Sequence, residues 1–467
     1  MDNDFVLDND SQTYILQIRR VNVGRLVGNT LSKQFIKIGM AAAVAVAFSA
    51  NNSLAEPLSE LLPEFIESHN LVKAAKSDVS AAQETALAAK GGWYPALSVT
   101  ITGGNEQQNK PTGTDDTNMA SREADFTITQ RLWDGGATQS AVRTANLSEQ
   151  QAQAVFTTTR SSLLLRAATA YLNVIRASEG LGYSSRSEEN IKKQTELEDA
   201  LVKRGAGFST DVLQAKVQLA GAQARKVRAA GALEVAKNAY RGVFSKIPGS
   251  MDSLTKPILP VDLLPADVDD AVKRAMSTNA FLVANNLTSQ IAMEAVNSTR
   301  ASSYSPTIDG ILDLKYKKDV SATAGSQQET FAKVQLSFPF NLGFTATNTL
   351  KATEGAYSAS NYRYADAKTA IEEATRNAWE QLKTAKNNAE LLGNQANIAA
   401  EFLEFARKER TLGRRSLLDV LSGETALINS SSDAASAEID VAIAIFTLLD
   451  AMGELDEEAL VRKADMQ

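Results

Sequence analysis

Four stretches of the chain alternate apolar and polar residues with period two. In Tyr304–Lys318, Ile308, Leu312, Leu314 and Tyr316 alternate with Thr307, Asp309, Asp313, Lys315 and Lys317. In Phe331–Phe340, Val334, Leu336, Phe338 and Phe340 alternate with Lys333, Gln335 and Ser337. Upstream, Leu97, Val99 and Ile101 alternate with Ser98, Thr100 and Thr102, and Phe126 and Ile128 with Asp125 and Thr127. Runs of about ten such residues are the signature of barrel strands, apolar side to lipid and polar side to lumen. Strand pairs are predicted at 93–104/122–132 and 304–318/329–340, with polar loops at 105–121 and 319–328. A soluble antiparallel sheet with one wet face has the same period. The edges favour the barrel: four strands leave two edges unpaired, and in lipid only closure removes them. Three chains of four strands each would close a twelve-stranded barrel.

The rest of the chain is patterned for helices. No proline occurs between Pro111 and Pro248 or after Pro339. Those stretches are rich in Ala, Leu, Gln, Glu, Lys and Arg, all good helix formers. Segments 136–204 and 344–411 are predicted as unbroken helices of about 70 residues, roughly 105 Å at 1.5 Å per residue. Each ends at a glycine turn, Gly205-Ala-Gly207 or Leu412-Gly413, and a shorter helix returns over 209–245 or 416–453. A further single helix precedes each strand pair, at 58–90 and 266–302.

This order occurs twice. Tyr171 and Trp379, Gly205 and Gly413, Asp211 and Asp419, Leu213 and Leu421, and Gly135 and Gly343 all stand 208 positions apart. A constant offset over these landmarks is the mark of an internal duplication. The chain divides into a first repeat, 56–247, a proline-rich equatorial linker, 248–265, a second repeat, 266–455, and a tail, 456–467.

Residues 1–55 are set apart as a targeting segment. Arg25, Lys33 and Lys37 precede an apolar run, Ile38–Phe48, and then Ser53-Leu54-Ala55. A basic region, a short apolar core and a small-x-small site make a secretory signal peptide, here with an N-terminal extension. The run is well short of the ~20 residues of a spanning helix, although a retained anchor is the alternative.

Composition removes whole classes of function. The 467 residues include no cysteine and one histidine, His69, so Cys/His metal sites and nucleophile pairs are excluded by inventory. No phosphate-cradling glycine loop is present. The net charge of −7 argues against nucleic acid as a partner. No cofactor, metal site or catalytic residue is expected, and His69 reads as an ordinary helix-surface residue.

The strings WYPALSVTI, TITQRLWDGG and its counterpart LSFPFNLG, and the paired tips GFSTDVLQA and RRSLLDVL, in this order and spacing, resemble the TolC family of outer-membrane efflux and secretion channels. The resemblance covers essentially all of 56–455. It implies an α+β membrane protein: a trimeric, 12-stranded β-barrel with four strands per subunit, joined to a long α-helical coiled-coil tunnel in the periplasm. It also implies a homotrimer in outer-membrane lipid, docked to a periplasmic adaptor (membrane fusion) protein and an inner-membrane ABC or RND-type pump. Without cysteine, the chain is similar to the unlipidated branch.

By position, the resemblance assigns a periplasmic gate. Asp419 matches the first aspartate of an acidic ring, and Ser422 stands where some members have a second. Arg415 matches an arginine that ties the second turn to the first, with Thr210 and Asp211 as partners. Arg410 stands where a latch tyrosine is found. Gly205, Gly207, Gly413 and Ser416 are the adaptor-docking tips. Trp93, Tyr94, Trp133, Tyr304, Phe338 and Phe340, at the strand feet, suit an interfacial girdle, or else a buried aromatic core between strands and helices. Plainer roles exist for the tip residues. Ser209 and Ser416 are natural N-caps, and Asp211 and Asp419 fall in first helical turns, where an acid favours the dipole. The competing reading of the whole chain is a periplasmic or surface coiled-coil structural or adaptor protein without a channel.

Overall fold

A computed structural model of the protein describes residues 57–111, 116–206, 208–249, 254–340 and 342–461. The proposed targeting segment and Gly207 lie outside the described residues. The chain builds two helices, α1 (Leu58–Ser68) and α2 (Asn70–Lys90), then strands β1 (Ala96–Gln108) and β2 (Thr117–Trp133). Helices α3 (Ala137–Lys203) and α4 (Ser209–Phe244) follow, then α5 (Val268–Thr278) and α6 (Ala280–Tyr304). Strands β3 (Thr307–Val320) and β4 (Thr323–Ser337), helices α7 (Thr345–Thr411) and α8 (Leu417–Met452), and the single turn α9 (Glu457–Leu460) complete it.

The two longest helices have 67 residues each and the two return helices 36 each. At 1.5 Å per residue a 67-residue helix is about 100 Å long. Both long helices turn on a glycine with left-handed backbone, Gly205 (φ 75°) and Gly413 (φ 72°). At each, the glycine N–H and the next N–H donate back to the last turn: Gly205 to Val202 and Ala206 to Leu201, Gly413 to Arg410 and Arg414 to Glu409, all at 2.9 Å. That closes the orphan carbonyls of the helix end and needs the positive φ that glycine adopts without strain.

The single helices expected at 58–90 and 266–302 are each broken in two. At the first break His69 is extended (φ −69°, ψ 130°), and its Nδ1 accepts the Leu71 N–H at 3.2 Å. His69 is thus a helix cap, contrary to the surface role expected for it. Burial, with Arg166 adding to it, lowers its pKa and favours the neutral ring that the cap requires. At the second break Asn279 Oδ1 accepts from Phe281 and Leu282, while its Nδ2 donates to Ala451 O at 3.0 Å. One buried side chain therefore caps the start of α6 and the end of α8. Ser416 caps α8 as expected, accepting the Asp419 N–H at 3.2 Å. Ser209 does not cap α4: Phe208 holds that position without a side-chain bond, and Ser209 is the first helical residue.

The strands form one antiparallel sheet in the order β1-β2-β3-β4. They reach further than the alternation indicated at the outer ends and stop short of it at the feet, where Tyr304 still belongs to α6, β3 begins at Thr307 and β4 ends at Ser337, before Phe338 and Phe340. Trp93 ends a 3₁₀ turn, Gly91–Trp93, and β1 begins only at Ala96. At the far end, β3 and β4 run through most of the polar stretch expected as a loop and are joined by Ser321 and Ala322, both with positive φ. A two-residue turn of that kind matches strand twist and prolongs the ladder.

The apolar core is not spread evenly along the helices. Its main cluster joins Leu62 and Phe65 of α1, Leu164, Tyr171 and Val174 of α3, Tyr240 of α4, and Ile445, Phe446 and Leu449 of α8. The fully buried Tyr171 hydroxyl donates to Thr255 O at 2.9 Å, pinning the proline-rich linker to α3. Towards the tips only small clusters remain, such as Ile191, Ala215 and Leu421. Close approach there relies on alanine, so each residue buries little and length supplies the contact.

Candidate functional site

Two regions carry polar side chains in ordered arrangements: one face of the sheet, and the paired helical tips. On the sheet, residues opposite one another in register share a face. One face pairs Arg131 with Asp309, Asp125 with Lys315 and Glu123 with Lys317. These are ion pairs in space as well: Arg131–Asp309 at 2.5 Å, Lys315–Asp125 at 3.3 Å and Lys317–Glu123 at 3.9 Å. Lys317 also reaches Glu329 at 2.9 Å, and Lys333 reaches Asp313 at 3.3 Å. Thr127 Oγ1 donates to Asp313 at 2.8 Å. The opposite face carries Leu97, Val99, Ile101, Phe126, Ile128, Val334 and Leu336, all exposed in the single chain. A sheet with a charge ladder on one side and a bare apolar side on the other suits water on the first and lipid on the second.

The aromatics at the strand feet are exposed too, from Tyr304 at 43% to Phe340 at 82%. Trp93, Tyr94, Trp133 and Phe338 fall between these values. None forms a buried core between sheet and helices. The Phe338 and Phe340 rings lie 4.7 Å apart and tilted by 37°, and the Tyr304 hydroxyl donates to Thr347 Oγ1 at 3.1 Å.

At the tips, Asp419 is exposed in the first turn of α8 and Asp211 half-buried in the first turn of α4, with Thr210 exposed beside it. Within one chain Arg415 does not meet Thr210 or Asp211. Its Nε donates to Glu409 at 2.6 Å, and its guanidinium lies over the Phe402 ring at 5.3 Å. Within the chain, Arg410 ties one half to the other. It donates to Glu198 of α3 at 2.8 Å and to the Arg415 carbonyl at 3.3 Å. Behind it, Arg407 pairs with Glu424 at 2.5 Å, and Asn190 donates to the same carboxylate. Glu198 and Glu424 are 3% and 4% exposed, so both are buried acids held by an arginine. Neither was marked by the sequence, where they stand among many glutamates on polar helices. Gly205, Gly413 and Ser416 are exposed, amid the exposed side chains of Phe208, Leu213, Leu412 and Leu418.

Among the described residues no group of His, Asp and Glu is placed to hold a metal ion. No helix among them is long and apolar enough to cross a membrane.

Residues 61–242 and 271–454 match the outer membrane efflux protein family. The outer membrane protein TolC of Escherichia coli (strain K12) is 25% identical over 366 residues, 74% of this chain and 72% of that protein. TolC of Vibrio cholerae is 24% identical over 443 residues, 91% of this chain and 97% of that protein. Among solved structures, the Campylobacter jejuni CmeC outer membrane channel superposes with a TM-score of 0.74 at 13% identity, covering 86% of each chain. Sheet, paired long helices and matched sequence agree: the chain belongs to the outer membrane efflux protein family.

Proposed function

We propose that three copies of this chain form a passive outer-membrane exit duct for efflux or type I protein secretion. Four strands from each copy close a twelve-stranded barrel, and the paired long helices continue it as a periplasmic tunnel. The observation that carries this is the sheet, with ion pairs on one face, exposed apolar side chains on the other, and β1 and β4 each paired on one side only among the described residues. An edge strand in lipid leaves a row of unsatisfied N–H and C=O groups, and closure with further copies removes it. The matched lengths of α3 with α7 and α4 with α8 support the two-repeat plan, 56–247 and 266–455 about the linker 248–265.

The duct selects little by itself, so the energy comes from an inner-membrane ABC or RND-type pump through a periplasmic adaptor. Exposed apolar side chains around Gly205, Gly413 and Ser416 give the adaptor a surface at the tips. Asp419, one per subunit, points three carboxylates at the entrance and favours cations there. Arg415, Thr210 and Asp211 belong to the same proposed gate, and the Arg410–Glu198 pair holds the second tip to the first repeat.

Single-channel conductance of the purified trimer in a planar bilayer, wild type beside Asp419→Ala, tests this. A small, cation-favouring conductance that loses its selectivity in the variant is expected. Unchanged selectivity would remove the acidic ring. Folded, trimeric protein without conductance would replace the duct with a coiled-coil structural stalk.

A further inference from the structure

Two cations stand on the apolar face of the sheet, where no described residue pairs them. Arg122 of β2 and Lys318 of β3 are directly opposite in register, and both are exposed. They share their face with Phe126, Leu314 and Tyr316. Among the described residues neither makes an ion pair, whereas Arg131, Lys315, Lys317 and Lys333 on the other face all do. Like charges directly opposite one another destabilise a strand pair. Their neighbours in the same row are Gly103 on β1 and Ser326 on β4, neither of which can neutralise them. Small residues flanking two long cations leave a shallow recess of about 650 Å³, walled by Ile101 and Tyr316.

The height of this row is informative. Arg122 lies ten residues outward of Leu132 at the foot of β2. At about 3.3 Å per residue that is roughly 33 Å of strand. A tilt of about 35–45° reduces it to about 25 Å, the height of the apolar band of a membrane barrel. The row therefore sits where hydrocarbon gives way to headgroups on the outer side, with a tyrosine beside it as at other interfaces.

We infer that the row Gly103–Arg122–Lys318–Ser326 is a binding site for the phosphate of an anionic lipid headgroup in the outer leaflet, an inference that rests on the barrel reading above. The guanidinium offers a planar fork to two phosphate oxygens, and the ammonium adds a second, mobile charge. The acyl chains then lie down the face over Phe126 and Leu314. Lipid phosphate thus supplies the counter-charge that the protein withholds, and the repulsion of two facing cations becomes attraction to a shared anion.

The test is native mass spectrometry of the detergent-purified trimer with bisphosphorylated lipid A, the same lipid after phosphatase treatment, and inorganic phosphate as competitor. Wild-type protein should retain the phosphorylated lipid about tenfold better than the dephosphorylated one, as expected when charge-assisted bonds are lost. The double variant Arg122→Gln/Lys318→Gln should lose that preference, and Arg122→Lys should keep most of it. The wild-type comparison of the two lipids needs no variant to fold. Equal retention of both lipids, or an unchanged preference in the double variant, overturns the site. Displacement by inorganic phosphate alone would show a free-anion site and overturn the lipid assignment. Insertion into phosphatidylcholine vesicles is scored separately: failure to insert removes the barrel reading itself, whereas insertion without phosphate preference removes only this site.

Discussion

Asp450 lies in the last turn of α8, where the helix end is already negative, and takes a 2.6 Å bond from Ser161 Oγ of α3. Burial pushes its carboxyl above the usual range, and the Ser161 bond only partly opposes this. A raised acid holds its proton more tightly folded than unfolded. Its stabilising contribution is therefore complete below the unfolded value, near 3.9, and is lost as pH rises through the folded value. Asp450→Asn keeps an acceptor for Ser161 without the buried charge. From about pH 4 to about pH 7, wild-type thermal stability should fall relative to the variant. Parallel melting curves across that range would remove Asp450 as the cause. Asp134 shows the opposite balance. Burial raises it too, but bonds from the side chain and backbone of Thr138 and from the Gly136 N–H outweigh that and hold it ionised just ahead of α3, whose N-cap position is Gly136.

Among the elements, the helix ends carry most of the specificity. Gly453 closes α8 at φ 76°, and a Cβ there would lie 2.6 Å from the Asn279 Cα. Gly205 has the same conformation with open space around it. Gly453→Ala should lower stability by roughly 2–3 kcal/mol, since backbone strain and a clash add. Gly205→Ala should cost only about 1 kcal/mol, from the strain alone. Denaturant midpoints of the two variants check this, and equal losses would mean that the contact with Asn279 relaxes freely. These ends also mark what could be read beforehand. Proline-free runs of helix formers located α3, α4, α7 and α8 to within a few residues, because propensity accumulates over a long window. The breaks at His69 and Asn279 were hidden, since no glycine or proline marks them and the helical pattern continues on either side. Strand ends were underestimated for a related reason: beyond the apolar band, Ser326, Gln327 and Gln328 look like loop by composition yet still pair with β3. At the tips the glycines and Ser416 were legible as turn and cap chemistry. Glu198 and Glu424 were not, because their burial arises only where α3, α7 and α8 meet.

For the whole molecule, the question is what covers the edges of β1 and β4. If they pair with each other between copies, the sheet closes after three chains, and the charge ladder turns inward all the way round. The protein contains no cysteine, so introduced thiols report without background. Thr100 lies on the charged face of β1, in register with Asp125, and Gln327, Glu329, Phe331, Lys333 and Gln335 lie on the same face of β4. Thr100→Cys combined in turn with a cysteine at each of these five samples the register in steps of about 6.6 Å. A disulfide requires Cα atoms within about 7 Å, so only one or two combinations can oxidise. In outer membranes, those combinations should give a denaturing-gel ladder of one, two and three chains that stops there. Closure at three is what separates a barrel from an open sheet: an open edge would carry the ladder on to longer polymers, and no cross-link at any register would mean that β1 and β4 never meet.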